Sequence, residues 1–190
     1  NVATMRLLVA AGVPPGNIIM CDSKGILHKQ REDITEKHPE KLKIMELTNA
    51  KQTSGGMAEA IRGADAVIAL SRPGPGTIKK EWISTMAKDA IVFVCANPVP
   101  EIWPWEAKEA GAAIVSTGRS DFPNQVNNSL GFPAIFRGVL DVQASTITDT
   151  MCIAAAKELA VCAEEKGLNA DRILPLMDDQ EVFPRVATAT

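Results

Sequence analysis

Hydrophobic positions along the chain follow two alternating patterns, namely short apolar runs and stretches with helical spacing. The apolar runs end in polar or charged residues, as the buried strands of a parallel sheet do. These runs predict strands over residues 17–22, 66–70, 91–96 and 112–116. Because helical stretches separate the runs, the order favours βαβ units and an α/β fold with a doubly wound parallel sheet.

Helical spacing and cap residues together predict the helices. The chain opens with a helix whose apolar positions are Val2, Met5 and Val9, and Gly12 is placed to end it. Further helices are predicted over residues 39–48, 56–61, 78–86, 104–110, 132–140 and 149–166. Residues 117–131 are polar and lack a helical period, so they predict a long loop.

Four polar segments follow the predicted strands. They cover residues 22–25, 71–76, 97–101 and 117–128. In doubly wound sheets, ligands bind outside the carboxyl ends of the strands. We therefore expect these segments to lie side by side along one edge and to form the ligand site.

Composition excludes several classes of protein. The 190 residues carry a formal net charge of −3, with no basic cluster that would support nucleic-acid binding. No apolar run approaches the roughly 18–20 residues of a membrane span, and no signal peptide is visible. The 4 cysteines form no CxxC pair, so we expect free thiols in a reducing cytoplasm. The chain has 0 tyrosines, so it cannot complete a mechanism with a tyrosine acid or base.

The first polar segment fits a dinucleotide-binding domain of Rossmann type. Asp22 stands where such a domain places the acidic residue that holds the adenosine ribose, about 20 residues after a glycine-rich turn. The first glycine is Gly12, so we expect a sheet that lacks its first strand and glycine-rich turn. Residues 1–190 would then be a truncated dinucleotide-binding domain. Ser23 and Lys24 leave NAD and NADP both open, because a carboxylate favours a free 2′-hydroxyl and a cation favours a 2′-phosphate. On spacing alone, a surface aspartate that merely ends a strand is an equal alternative.

Two longer motifs are more specific. ANPVPEI at 96–102 places Asn97, a donor and an acceptor at once, after a strand. TGRSDFPNQVNNSLGFPAIFRG at 117–138 is unusually dense in side-chain amides. With CDSKG at 21–25, Ser71-Arg72 after another strand and ITDTM at 147–151, these stretches resemble the C-terminal NAD(P)-binding domain of malic enzymes of the compact prokaryotic type. The resemblance covers essentially the whole chain.

The resemblance implies an activity and a set of site residues. Malic enzymes oxidise L-malate with NAD or NADP and decarboxylate the product to pyruvate and CO2, using Mg²⁺ or Mn²⁺. It implies that Asp22 to Lys24 lie at the adenosine ribose, that Ser71 and Arg72 lie beside the dinucleotide, and that Asn97 reaches nicotinamide and malate. The implied cofactor-binding residues are Asp22, Ser23, Lys24, Ser71, Arg72, Asn97 and Asn127, and the implied substrate-binding residues are Asn97 and Asn128.

The same resemblance places the remaining chemistry outside these residues. The family's tyrosine acid, lysine base and acidic metal ligands belong to a preceding domain, so no catalytic residue and no metal ligand is assigned here. Asp121, Asp141 and Asp149 have structural explanations, as a loop turn, a helix end and a first-turn helix charge. A homo-oligomer is expected by resemblance as well.

Two other functions stay open. Malolactic enzymes share this architecture and convert malate to lactate while retaining NAD, although the short prokaryotic pattern favours pyruvate. A nucleotide-binding module without chemistry is the second alternative, and the missing glycine-rich turn favours it if the chain is complete.

Overall fold

A computed structural model describes all 190 residues as an α/β protein. The strands are β1 (Cys21–Asp22), β2 (Gly25–Ile26), β3 (Ala66–Ala69), β4 (Ile91–Val94) and β5 (Ile114–Thr117). The helices are α1 (Val2–Ala10), α2 (Pro39–Leu47), α3 (Met57–Ile61), α4 (Lys80–Ile83), α5 (Pro104–Glu109), α6 (Phe132–Asp141), α7 (Asp149–Glu165) and α8 (Val182–Ala189).

Strands β3, β4 and β5 form a parallel sheet with β4 in the middle. Val92 and Val94 of β4 are fully buried and belong to the hydrophobic core that the sheet shares with α3, α4 and α5. This sheet confirms the strands predicted over 66–70, 91–96 and 112–116. Because the three strands run parallel, their carboxyl ends meet at one edge.

The segment 17–22 differs from its prediction, because it does not join the parallel sheet. Only Cys21 and Asp22 form a strand, β1, which pairs antiparallel with β2. Gly25 adopts a positive φ of 116° and comes so close to the backbone of Gly55 that a Cβ would lie 2.4 Å from its carbonyl oxygen. This tight turn folds the chain back on itself, so the prediction of a strand of the parallel sheet over 17–22 was wrong.

The predicted helix over 78–86 is shorter in the structure. Helix α4 ends at Ile83, where the Ser84 and Thr85 hydroxyls donate to the carbonyls of Lys80 and Trp82 at 3.1 and 2.7 Å. Side-chain hydroxyls that bind nearby carbonyls compete with helical hydrogen bonds, which accounts for the early end.

Helix α8 was not among the predicted elements. It packs against α6 and α7, and its Val182 and Val186 are buried with Ala134, Ala155 and Cys162. A second small core joins Met5 of α1 to Ile44 and Met45 of α2. The eight residues of α8 are too few for a helix that is stable by propensity alone, so its packing on α6 stabilises it.

The four cysteines are free thiols. Cys162 is buried, whereas Cys21, Cys95 and Cys152 are half-buried. No helix combines the length and the hydrophobicity that crossing a membrane requires.

Candidate functional site

The carboxyl ends of β3 and β4 are joined by one buried carboxylate. Glu101 is fully buried, and its Oε1 accepts hydrogen bonds from the backbone N–H and the hydroxyl of Ser71 at 2.8 and 3.0 Å. Its Oε2 accepts from the backbone N–H of Ala96 at 3.1 Å. Ser71 follows β3, and Ala96 precedes Asn97 at the end of β4. The same side chain therefore holds the predicted site residue Ser71 and the residue that directly precedes the predicted site residue Asn97.

The Asn97 turn is also held from the neighbouring strand end. Gly118, directly after β5, lies against the Asn97 side chain, where an added Cβ would be 3.3 Å from Nδ2. Arg119 donates to the carbonyl oxygen of Pro98 at 2.8 Å. Asp121 accepts two hydrogen bonds from the Arg119 guanidinium, which lower the pKa of the Asp121 carboxyl and hold the guanidinium in place. The segments after β3, β4 and β5 are thus contiguous, as predicted for three of the four polar segments.

The long loop after β5 returns to run beside that strand. Val126 donates its backbone N–H to the carbonyl oxygen of Thr117 at 2.7 Å, and Gln125 forms a bridge with Thr117. Asn124 is buried, and its Nδ2 donates to the carbonyl oxygens of Val115 and Ala170 at 3.1 and 2.7 Å. Its Oδ1 accepts from the backbone N–H of Ile173 at 2.9 Å. Asn124 therefore anchors the loop that carries the two asparagines at 127 and 128.

Those two asparagines differ in what their side chains do. The Oδ1 of Asn127 accepts from the backbone N–H and the hydroxyl of Ser129 at 2.9 and 2.8 Å, so it caps the short 3-10 turn at residues 128–130. Asn128 is exposed, and its side chain has no hydrogen-bond partner within the chain. Both line a cavity of about 330 Å³ whose other walls are mostly apolar and include Leu130 and Leu159. Asn128 is thus the one whose side-chain oxygen and NH2 group are both free of hydrogen bonds within the chain.

Arg72 lies in the turn after β3. Its side chain is exposed and forms no ion pair with any residue of the chain, whereas its carbonyl oxygen accepts from the Thr77 hydroxyl at 3.3 Å. A fixed backbone with a free guanidinium is suited to an anionic group such as a phosphate.

The Asp22 segment forms a separate cluster on the β1–β2 hairpin. The Asp22 carboxylate accepts from Arg31 at 3.2 and 3.3 Å, from Lys41 and from the backbone N–H of Lys24 at 2.9 Å. Burial opposes its ionisation, but these hydrogen bonds outweigh burial and lower the pKa of Asp22 to about 2. Asp33 accepts from Arg31 as well and forms an ion pair with Lys24 at 2.9 Å. Because β1 is outside the parallel sheet, this segment does not follow a sheet strand as the other three do.

A cavity of about 110 Å³ opens beside this cluster. It is lined mainly by polar side chains, which are Asp22, Ser23, Lys24, Asp33, His38 and Lys41, together with Ile34. Three cations and two carboxylates therefore surround it when Arg31 is included. The sequence located Asp22, Ser23 and Lys24, but Arg31 and Lys41 come from distant positions that no local pattern connects to them.

The arrangement fits a dinucleotide better than it fits a metal ion. Hydroxyl, amide and guanidinium groups lie at adjacent strand ends, as in nucleotide sites of α/β sheets. No group of three or more His, Cys, Asp or Glu side chains is arranged to hold a metal ion. Sequence reasoning missed Glu101 and Asn124, and the signal for Glu101 was a lone charge between Pro100 and Ile102 in an apolar context.

Comparisons with known proteins identify the family. The sequence profile of the family described as "Malic enzyme, NAD binding domain" matches residues 11–190. The bifunctional malic/malolactic enzyme of Bacillus subtilis is 45% identical over 189 residues, which are 100% of this chain and 45% of that protein. The NAD-dependent malic enzyme of Geobacillus stearothermophilus is 43% identical over 100% of this chain and 38% of its own length.

A solved structure agrees with these sequence relatives. The crystal structure of the Entamoeba histolytica malic enzyme superposes with a TM-score of 0.94 at 54% identity, over 100% of this chain and 39% of that one. The chain thus spans less than half the length of the relatives it matches. Sequence profile, relatives and fold agree that this chain belongs to the family of malic enzyme NAD-binding domains.

Proposed function

We propose that residues 1–190 are the dinucleotide-binding domain of an enzyme that oxidises L-malate with NAD or NADP and decarboxylates the product to pyruvate and CO2. The observation that carries the proposal is the fixed row of Ser71, Asn97 and the 117–128 loop at adjacent strand ends. Relatives named as NAD-dependent and NADP-dependent malic enzymes support the cofactor class.

Each site residue has a role that its position supports. Asp22, Ser23 and Lys24 would hold the adenosine ribose, and Ser71 and Arg72 would bind the dinucleotide at its phosphate and ribose groups. When bound, the dinucleotide supplies the hydride acceptor. Asn97 and Asn128 would orient malate against it through their amides. Asn127 caps the turn at 128–130 and would lie at the nicotinamide ribose. These residues act by proximity and orientation and transfer no proton themselves.

The divalent metal belongs to a different part of the enzyme in this proposal. Mg²⁺ prefers oxygen ligands in near-octahedral geometry, and the chain presents no cluster of acidic side chains for it. We therefore place the Mg²⁺ or Mn²⁺ ligands, the acid and the base outside residues 1–190.

The malolactic reaction is the second candidate. The relative from Bacillus subtilis is named a bifunctional malic/malolactic enzyme and aligns along the whole chain. A product assay separates the two reactions, because one gives pyruvate with reduced dinucleotide and the other gives lactate without net reduction.

Kinetics of the complete enzyme test the proposal. We expect malate-dependent reduction of NAD or NADP with Mg²⁺ or Mn²⁺, and we expect Asn97→Ala and Asn128→Ala each to lower kcat/KM for malate about 10- to 100-fold, because mispositioned substrate reacts slowly. Asn17→Ala is the matched control, since Asn17 is an exposed amide that is distant along the chain from Asn97 and Asn128 and forms no side-chain hydrogen bond. Unchanged kinetics in both site variants would overturn the assignment of these residues.

A further inference from the structure

Glu101 is a buried carboxyl side chain that forms no ion pair with a cation of the chain. Its carboxylate has three hydrogen-bond donors, which are the backbone N–H of Ser71, the hydroxyl of Ser71 and the backbone N–H of Ala96. None of these donors carries a charge. A buried carboxylate is unfavourable unless its oxygens are well hydrogen-bonded, so this one is retained together with a fixed set of partners.

The partners explain what the carboxylate does. Ser71 is 30 residues away from Glu101 along the chain and belongs to the end of β3, whereas Ala96 belongs to the end of β4. The backbone of Glu101 adds a further link, because its carbonyl oxygen accepts from the N–H of Ile78 at 3.1 Å. One residue therefore fixes the separation between two strand ends at the point where the site residues begin.

Glu101 also affects the pKa of the nearby Cys95 thiol. Burial, and secondly the negative charge of Glu101, raise the pKa of the Cys95 thiol to about 11.

An amide could not replace the carboxylate. Two backbone N–H groups and a hydroxyl all point at the two oxygens, and a glutamine offers one oxygen and one NH2 group. The NH2 group would face a backbone N–H, so one buried donor would lose its acceptor and the strand end would shift.

We infer that Glu101 is a positioning residue for malate turnover, which acts by holding Ala96, and through it the Asn97 amide, in register with the end of β3. The inference rests on the proposed function, because it assigns to Asn97 a contact with malate. It predicts that Glu101 and Asn97 act as a unit. Substitutions of residues that act as a unit have non-additive effects on the free energy of activation.

A double-mutant cycle in the complete enzyme tests the inference, with kcat/KM for malate measured at saturating dinucleotide. Glu101→Gln is expected to lower kcat/KM at least tenfold in the otherwise unchanged enzyme. In the Asn97→Ala background the same substitution is expected to lower it less than threefold, because the side chain that Glu101 positions is already gone. Losses that multiply would overturn the inference, since a merely structural defect acts equally in both backgrounds.

Controls separate this effect from misfolding. Glu109→Gln makes the same chemical change at an exposed residue that pairs with Lys80 at 2.5 Å, and it is expected to change kcat/KM less than twofold in both backgrounds. Melting temperatures set an assay temperature at which every variant is folded. If Glu101→Gln does not fold, Glu101→Asp keeps a carboxylate but shortens its reach to Ser71 and Ala96. A two- to fivefold loss is then expected only in the enzyme that retains Asn97.

The outcomes also separate the inference from the proposed function. An enzyme that shows no malate-dependent reaction, or an Asn97→Ala variant with full activity, contradicts the proposed function or its site assignment. An active enzyme in which Asn97→Ala is impaired, but in which the Glu101 and Asn97 effects multiply, contradicts the positioning role alone.

Discussion

At the scale of single residues, Asp22 shows how tertiary contacts change the meaning of a motif. A carboxylate after an extended segment predicted a ligand for a ribose hydroxyl. In the structure both of its oxygens already accept hydrogen bonds from Arg31, and one also accepts from Lys41. A bound ribose would share this carboxylate with the protein, so Asp22 stabilises the fold whether or not a dinucleotide is present.

The stability contribution of Asp22 is predicted to depend on pH. Its pKa of about 2 in the folded protein lies below the ordinary value of about 4, so ionised Asp22 stabilises the fold at neutral pH. We expect Asp22→Asn to lower the free energy of unfolding by about 1–3 kcal/mol at pH 7, and the difference to vanish as the pH falls from about 4 to about 2. Urea denaturation followed by circular dichroism measures it.

Asp65 provides the control for this prediction. It is exposed and forms no ion pair, so Asp65→Asn is expected to change stability by less than about 0.5 kcal/mol at every pH. A difference between wild type and Asp22→Asn that persists unchanged at pH 2 would contradict the electrostatic explanation.

At the scale of elements, the contact between α6 and α8 depends on one glycine. A Cβ on Gly138 would lie 2.5 Å from the carbonyl oxygen of Ala187 and 2.9 Å from the Cβ of Thr190. The helices approach this closely only because position 138 has no side chain. The approach buries Val182 and Val186 of α8 beside Ala134 of α6.

We predict that Gly138→Ala destabilises the protein although alanine is the better helix former. The added methyl forces α8 away from α6, and overpacking of this kind costs about 1–3 kcal/mol, which exceeds the gain of about 1 kcal/mol in helix propensity. Thermal unfolding should therefore show a lower Tm. Gly131→Ala is the matched control in the same region, since its Cβ would meet only the Cδ1 of Ile135 at 4.0 Å. Equal melting temperatures for the two variants would show that the close contact at Gly138 does not affect stability.

At the scale of the whole molecule, the three hydrophobic clusters differ in size and in the number of sheet hydrogen bonds that surround them. The largest contains the sheet, with β4 hydrogen-bonded on both sides and Val92 and Val94 fully buried. The β1–β2 hairpin has two residues in each strand and lies outside that sheet. The site residues after β3, β4 and β5 therefore lie on the part of the molecule with the largest core and the most extensive sheet. The Asp22 cluster lies on a short hairpin outside that sheet.

This difference predicts an order of amide hydrogen exchange. Amides of Ile91–Val94 are expected to exchange at least about 100-fold more slowly than those of residues 21–26, because local opening of a short hairpin exposes little apolar surface. Hydrogen exchange followed by mass spectrometry of peptides from the complete enzyme measures both regions at once. Equal protection of the two would contradict this hierarchy.

Much of the fold could be predicted because local patterns carry it. The apolar runs at 66–70, 91–96 and 112–116 specify strands, and helical spacing specifies α1, α2, α5, α6 and α7. The ends of parallel strands meet at one edge whatever their side chains, so the adjacency of segments 71–76, 97–101 and 117–128 followed from the strand pattern. The motifs in two of these segments were also enough to indicate the family, which the comparisons confirmed.

Other features depend on partners that are distant along the chain, and no local pattern encodes them. An apolar run is extended in any sheet, but its neighbours decide what it pairs with, and residues 21–22 pair with β2. Glu101 meets Ser71 across 30 residues, Asn124 meets Ala170 across 46, and α8 is held by Gly138 of α6. The amino-acid pattern thus determined the three strands of the parallel sheet, most helices and the polar segments that follow those strands. The tertiary structure decided how those ends are held together, because hydrogen bonding and close packing act between residues that only folding brings within reach.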